Sequence, residues 1–243
     1  MLAKLSNLRF NTAVGKKVLM AVTGLAMCIF LVGHLAGNLQ LLWNQPQFDA
    51  YAHFLTISMK PVVIIMELGL LAILLIHVGD ALALLKTNYA ARPVGYHKKA
   101  WSKKKSKKSR KSWASTLMMW SGTTILLFIA FHVWQMKFHN PIVSPNPGNT
   151  PEGEFRLAAM VVGELRNPLV AGIYFVSLTL LGMHLWHAVS SALHSVGLSN
   201  PRYQKLIGFF GYGFTIVVVG GFMLFPLLIV TGILQHGTVP TGH

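Results

Sequence analysis

The chain has 243 residues, 53% of them hydrophobic and only 11% charged, yet its formal net charge is +15. A soluble domain of this length would carry about 25% charged residues, so the composition describes a membrane protein with no room for a separate soluble enzyme domain. Its single cysteine, Cys28, excludes disulfides and cysteine-held zinc or iron–sulfur centres within the chain.

Apolar stretches follow one another at residues 18–43, 61–85, 113–138, 168–193 and 206–234. Each exceeds the ~20 residues an α-helix needs to cross ~30 Å of hydrocarbon. They predict an all-α membrane protein, one domain over residues 1–243, folded as a bundle of five transmembrane helices. The first stretch reads as a span and not a cleaved signal, because its apolar run is longer than the roughly 7–15 residues of a signal core.

The charges predict an orientation. Lys4, Arg9, Lys16 and Lys17 precede the first span, a basic loop over residues 86–112 separates the second from the third, and Arg202 and Lys205 separate the fourth from the fifth. These regions share one side and hold most of the basic residues; the other side keeps Lys60, Lys137, Arg156 and Arg166. The positive-inside rule then predicts a multi-pass protein of the cytoplasmic membrane, its N-terminus in the cytoplasm and its C-terminus outside. The cluster at residues 98–111 fixes topology and attracts anionic lipid at about 1 kcal/mol per basic side chain, and it also suits docking of a cytoplasmic partner. Nucleic acid is not an expected partner, since no folded reader accompanies the basic run. The opposite connection, 139–167, is rich in Pro and Gly at its start, then amphipathic over 155–165, which predicts a short interfacial helix before Pro168. No repeat is evident beyond the helices themselves.

Each of the first four spans carries a histidine: His34, His77, His132 and His184. An imidazole in hydrocarbon is costly unless it is paired or bound, so intramembrane ionisable residues mark functional sites by default. At 1.5 Å rise per residue, His34 lies about 24 Å beyond Val18 and His132 about 28 Å beyond Trp113, both towards the outer face. His77 and His184 each lie about 24 Å below the proline that opens their span, towards the inner face. The depths pair His34 with His132 and His77 with His184, the pattern of two bis-histidine haems. His187 and His194 are further candidates on the fourth span, for a propionate contact or an interfacial role, and spacing alone prefers His184 over His187 only modestly. Small residues beside the ligands, Gly33 and Gly37 around His34, Ala81 after His77, Ala188 and Ser191 after His184, are expected to make room for a macrocycle. A zinc or copper site would want several donors at one depth; Asp80 is the only acid near His77, so that reading is weak.

The segments TGLAMCIFLVGHLAGNLQL, FDAYAHF, LLIHVGDAL, FIAFHVWQ and LRNPLVAGIYFVSLTLLGMHLWHAVSSALHSVG cover most of the chain. Together they resemble the cytochrome b subunit of succinate:quinone oxidoreductases, in its single-chain, five-helix, di-haem type, which also occurs in fumarate reductases. The resemblance implies a bundle holding two b haems, with His34 and His132 on the outer haem and His77 and His184 on the inner one; it selects His184 over His187. It implies a non-flavin subunit of an enzyme complex, without the succinate site, that docks a flavoprotein subunit and an iron–sulfur subunit on its cytoplasmic face and passes electrons to a quinone, menaquinone being the expected species. Assembly of that complex into a higher oligomer is compatible with it. His53, Glu67, Lys60 and Trp43 are the candidates for the quinone site, which needs polar partners for both carbonyls in an amphipathic pocket. Other readings are an anchor of a quinol:fumarate reductase, the cytochrome subunit of a hydrogenase or formate dehydrogenase, and a non-redox anchor or transporter.

Overall fold

The computed structural model describes residues 12–90, 113–139 and 157–235. The predicted basic loop beyond residue 90, with the cluster at 98–111, and the Pro- and Gly-rich connection at 140–156 lie outside the described residues. Among those described there are helices and turns and no strand. Five helices are long and apolar enough to cross a membrane, as expected of a multi-pass membrane protein.

Helix α1 spans Ala13–Leu39, five residues ahead of the predicted start. The Thr12 side chain accepts from Gly15 N at 3.0 Å and caps it, so Lys16 and Lys17 lie inside the helix, where their long stems allow the ammonium groups to reach water. After a 3₁₀ turn at Gln40–Leu42, Asn44 caps a helix that hydropathy did not single out, α2, Gln45–His53. A π turn at Phe54–Ser58 leads to α3, Lys60–Ala90. Helix α4, Trp113–Val133, ends in a second π turn, Trp134–His139. The predicted interfacial helix is α5, Leu157–Arg166; Asn167 and Pro168 then open α6, Pro168–Ser195. Gly197, at φ 108°, turns the chain out of α6, and a 3₁₀ turn at Pro201–Tyr203 leads into α7, Gln204–Val230. The last helix ends four residues short of expectation because Gly232 takes φ 74°, a left-handed conformation that stops it.

Helix α6 is the hub, packing on α1, α4 and α7, while α3 lies along α1. Lipid tails are as apolar as leucine, so these contacts rest on close packing and buried polar pairs and not on the hydrophobic effect. Small residues provide the closeness: a Cβ at Gly221 would lie 2.8 Å from Leu35 Cδ2, and one at Gly211 would lie 2.5 Å from Ser190 Oγ. One end of the bundle is closed by α2 and α5. Leu41, Phe48, Ala158, Val162 and Leu165 are buried there against Leu35, Tyr174, Phe225 and Ile229. Asp49 on α2 accepts from Ala158 N at 2.7 Å, which satisfies one of the free amides at the start of α5. This end is called the closed face below, and the end bearing the turn from α6 to α7 the far face.

Candidate functional site

The four histidines lie at two levels. Near the closed face, His34 on α1 and His132 on α4 meet edge to face, ring centres 6.0 Å apart and planes at 82°. With metal–nitrogen bonds of about 2.0 Å, two imidazoles sharing one iron have ring centres roughly 6 Å apart. Phe30 stacks on His34 at 5.4 Å, Phe222 of α7 lies 5.6 Å from it, and Phe128 lies 5.7 Å from His132. This aromatic shell keeps water from the pair.

His77 on α3 and His184 on α6 lie towards the far face. Each is held by a hydroxyl on the preceding span. His77 donates Nδ1–H to the Met20 carbonyl at 3.1 Å, with Thr23 Oγ1 at 3.2 Å. Thr23 gives its own proton to Leu19 O at 2.8 Å. On the other side of the bundle, Ser121 Oγ stands 3.1 Å from His184 Nδ1 and gives its proton to Leu117 O at 3.0 Å. With that proton on Leu117, the Ser121 oxygen is open to accept from His184 Nδ1–H.

A third imidazole follows the same rule by a longer route. Tyr174 O–H donates to Gln135 Oε1 at 3.0 Å, so the Tyr174 oxygen accepts from His132 Nδ1–H at 2.9 Å. In His77 and His132, Nδ1 carries the proton and Nε2 keeps its lone pair, and the hydroxyl beside His184 Nδ1 suits the same tautomer. Metal-binding imidazoles have this arrangement: the ring nitrogen away from the metal donates to a neighbour and fixes the tautomer.

Thr23 and Ser121 occupy matching places in a pattern that sequence reading missed. Thr23-Gly24 precedes His34 by 11 residues, and Ser121-Gly122 precedes His132 by 11. Eleven residues make about three helical turns, which puts hydroxyl and imidazole on one face about 16 Å apart. Each glycine faces the histidine of the following span: a Cβ at Gly24 would lie 3.3 Å from His77 Cε1, and one at Gly122 would lie 3.5 Å from His184 Cε1. Of the glycines singled out from sequence, Gly33 has open space beside it, whereas a Cβ at Gly37 would press on Tyr51 of α2 at 3.1 Å. Gly24 and Gly122 are further small residues beside the imidazoles, contributed by neighbouring helices.

The remaining candidates divide. His194 donates Nδ1–H to Leu198 O at 3.1 Å and stabilises the turn after α6. His187 lies one turn from His184, half-buried. Asp80, one turn beyond His77, keeps a buried carboxylate oxygen without a hydrogen-bond partner. Among the quinone candidates, Glu67 is paired with Lys137, an ion pair that joins α3 to the end of the third span. Trp43 instead lines an open cavity of about 340 Å³ with Leu42, Asn44, Gln45 and Gln235. Lys60 and His53 are exposed. Among the described residues no group of three or more His, Cys, Asp or Glu is placed to hold a metal ion; a bis-histidine iron needs only two. Comparison with family models, with curated proteins and with solved structures gives no match for this chain.

Proposed function

We propose that this chain is the membrane-anchor cytochrome b subunit of a succinate:quinone oxidoreductase, binding two b haems. The observation that carries the reading is the state of the intramembrane imidazoles. His77 and His132 donate Nδ1–H to an oxygen of the bundle and so keep Nε2 bare, and His184 has its Nδ1 against a hydroxyl that suits the same tautomer. A packing histidine needs no such arrangement, and a proton carrier would want its second nitrogen connected to a polar path.

His34 and His132 would hold the haem nearer the closed face, and His77 and His184 the one nearer the far face. Bound haem supplies a one-electron carrier at each level. The chain's own residues orient and shield: Thr23, Ser121 and Tyr174 fix the rings, and Phe30, Phe128 and Phe222 exclude water. The far face is assigned to the cytoplasm by the positive-inside rule, and there the flavoprotein and iron–sulfur subunits would dock. Quinone, with menaquinone as the expected species, would bind towards the closed face. Glu67, held by Lys137, is its leading polar contact, with His53, Lys60 and Trp43 as further candidates. The same residues serve a complex working in either direction, succinate oxidation or fumarate reduction.

A reduced-minus-oxidised optical spectrum of the purified protein tests the reading. Two b-type haems per chain are expected, each lost alone on substitution of either of its two histidines. A flat spectrum from folded protein ends it in favour of a non-redox anchor.

A further inference from the structure

His132 stands at one end of a hydrogen-bonded chain whose other end lies on α5, beyond the spans. Gln135 Nε2 donates to Glu164 Oε2 at 2.6 Å, Tyr174 O–H donates to Gln135 Oε1 at 3.0 Å, and the Tyr174 oxygen lies 2.9 Å from His132 Nδ1. A carboxylate only accepts hydrogen bonds, whereas a primary amide has one donating and one accepting end. Glu164 therefore draws the Gln135 amino group towards itself and leaves the Gln135 carbonyl facing Tyr174. That carbonyl takes the one phenolic proton, so the phenol oxygen can only accept from the imidazole.

Burial keeps the chain from reversing. Gln135 is 2% exposed and Tyr174 7% exposed, so water does not stand in for a bond made the wrong way round. The second π turn, which starts at Trp134, holds Gln135 buried against Tyr174 of α6 and Glu164 of α5. π turns inside longer helices recur where a side chain has a specific task. An amide is a poor proton conductor, so this chain transmits orientation and not protons.

We propose that Glu164 is a positioning residue for His132: acting through Gln135 and Tyr174, it selects the Nδ1–H tautomer and keeps Nε2 bare for a metal. The identity of the metal rests on the haem reading above. The tautomer belongs to the haem-free chain.

The test follows from that separation. Haem-free protein labelled with ¹⁵N-histidine is studied in lipid by solid-state NMR, His132 being identified by the signal lost in His132→Gln. The wild-type chain is expected to show a protonated Nδ1 and an unprotonated Nε2. Glu164→Gln, which still offers an acceptor, retains that tautomer. Glu164→Lys offers a donor, turns Gln135 and Tyr174 round, and moves the proton to Nε2. Tyr174→Phe, one oxygen smaller and undemanding of the fold, abolishes the preference independently of the lysine variant. In haem-loaded protein, Glu164→Lys weakens retention of the closed-face haem by roughly 10- to 100-fold; Glu164→Gln does not, and the far-face haem is unchanged in both. An Nδ1–H tautomer that persists in Glu164→Lys and Tyr174→Phe overturns the proposal. A tautomer that moves as expected in a chain that takes up no haem sustains it and ends the haem reading alone.

Discussion

Ser121 Oγ lies 3.1 Å from His184 Nδ1 across the α4–α6 contact, as Thr23 Oγ1 lies 3.2 Å from His77 Nδ1 across the α1–α3 contact. The two hydroxyls do the same work on different helices, but with unequal support: His77 also has the Met20 carbonyl at 3.1 Å. Ser121→Ala is therefore expected to cost more than Thr23→Val. Loss of an outer partner of a metal-binding imidazole lowers metal affinity by roughly 10–100-fold, and Ser121→Ala should fall in that range. Ser121→Thr should restore retention. Haem per chain after detergent dilution measures both effects, and equal losses in the two variants would contradict the inequality.

The four histidines proposed as ligands carry a sharper prediction as a set. His34→Ala and His132→Ala each remove the closed-face haem alone, and His77→Ala and His184→Ala each remove the far-face haem alone. Low-temperature spectra that resolve the two haems read the outcome. Both haems lost equally from every folded variant would break the pairing.

Gly24 and Gly122 are expected to differ. A Cβ at 3.3 Å from His77 Cε1 forces the ring to give by a few tenths of an ångström, whereas 3.5 Å at His184 is ordinary contact. Gly24→Ala should shift the far-face haem's absorption while Gly122→Ala leaves it near wild type. The reverse order would place the rings elsewhere.

Glu67 and Lys137 form an ion pair between α3 and the end of the third span, each nearly half exposed. Ionisable groups in a span are costly alone and favour one another. Glu67→Lys and Lys137→Glu should each weaken quinone reduction by the assembled complex, and the double exchange should recover part of it. A recovery in thermal stability without recovery in quinone KM would make the pair a brace between helices and remove Glu67 from the quinone site.

Much of this arrangement is legible in the sequence, for physical reasons that can be named. Five apolar runs are long enough that lipid leaves them no fold but helix, and His34, His77, His132 and His184 stand out because charge-bearing rings are rare in such runs. The partners of those rings are not legible in the same way. Thr23 and Ser121 resemble any hydroxyl in an apolar helix, which bonds back to its own carbonyls, as both do here. Gly37 stands beside His34 in sequence, yet its neighbour in space is Tyr51. Gln135 and Glu164 meet across 29 positions of chain. Helix α2 escaped notice because its alternating polar and apolar residues lack a membrane-length run; Asn44 and Pro46 were the local signals.

The Thr/Ser-Gly pattern with its histidine 11 residues later occurs once in α1 and once in α4, and each copy is followed by a span with histidine 16 residues after a proline. The first six helices thus contain two similar hairpins, and each hairpin contributes one imidazole to each level. Neither hairpin alone holds a complete pair. On the proposed reading, iron uptake waits until both halves have come together, and a filled centre certifies that the bundle has closed.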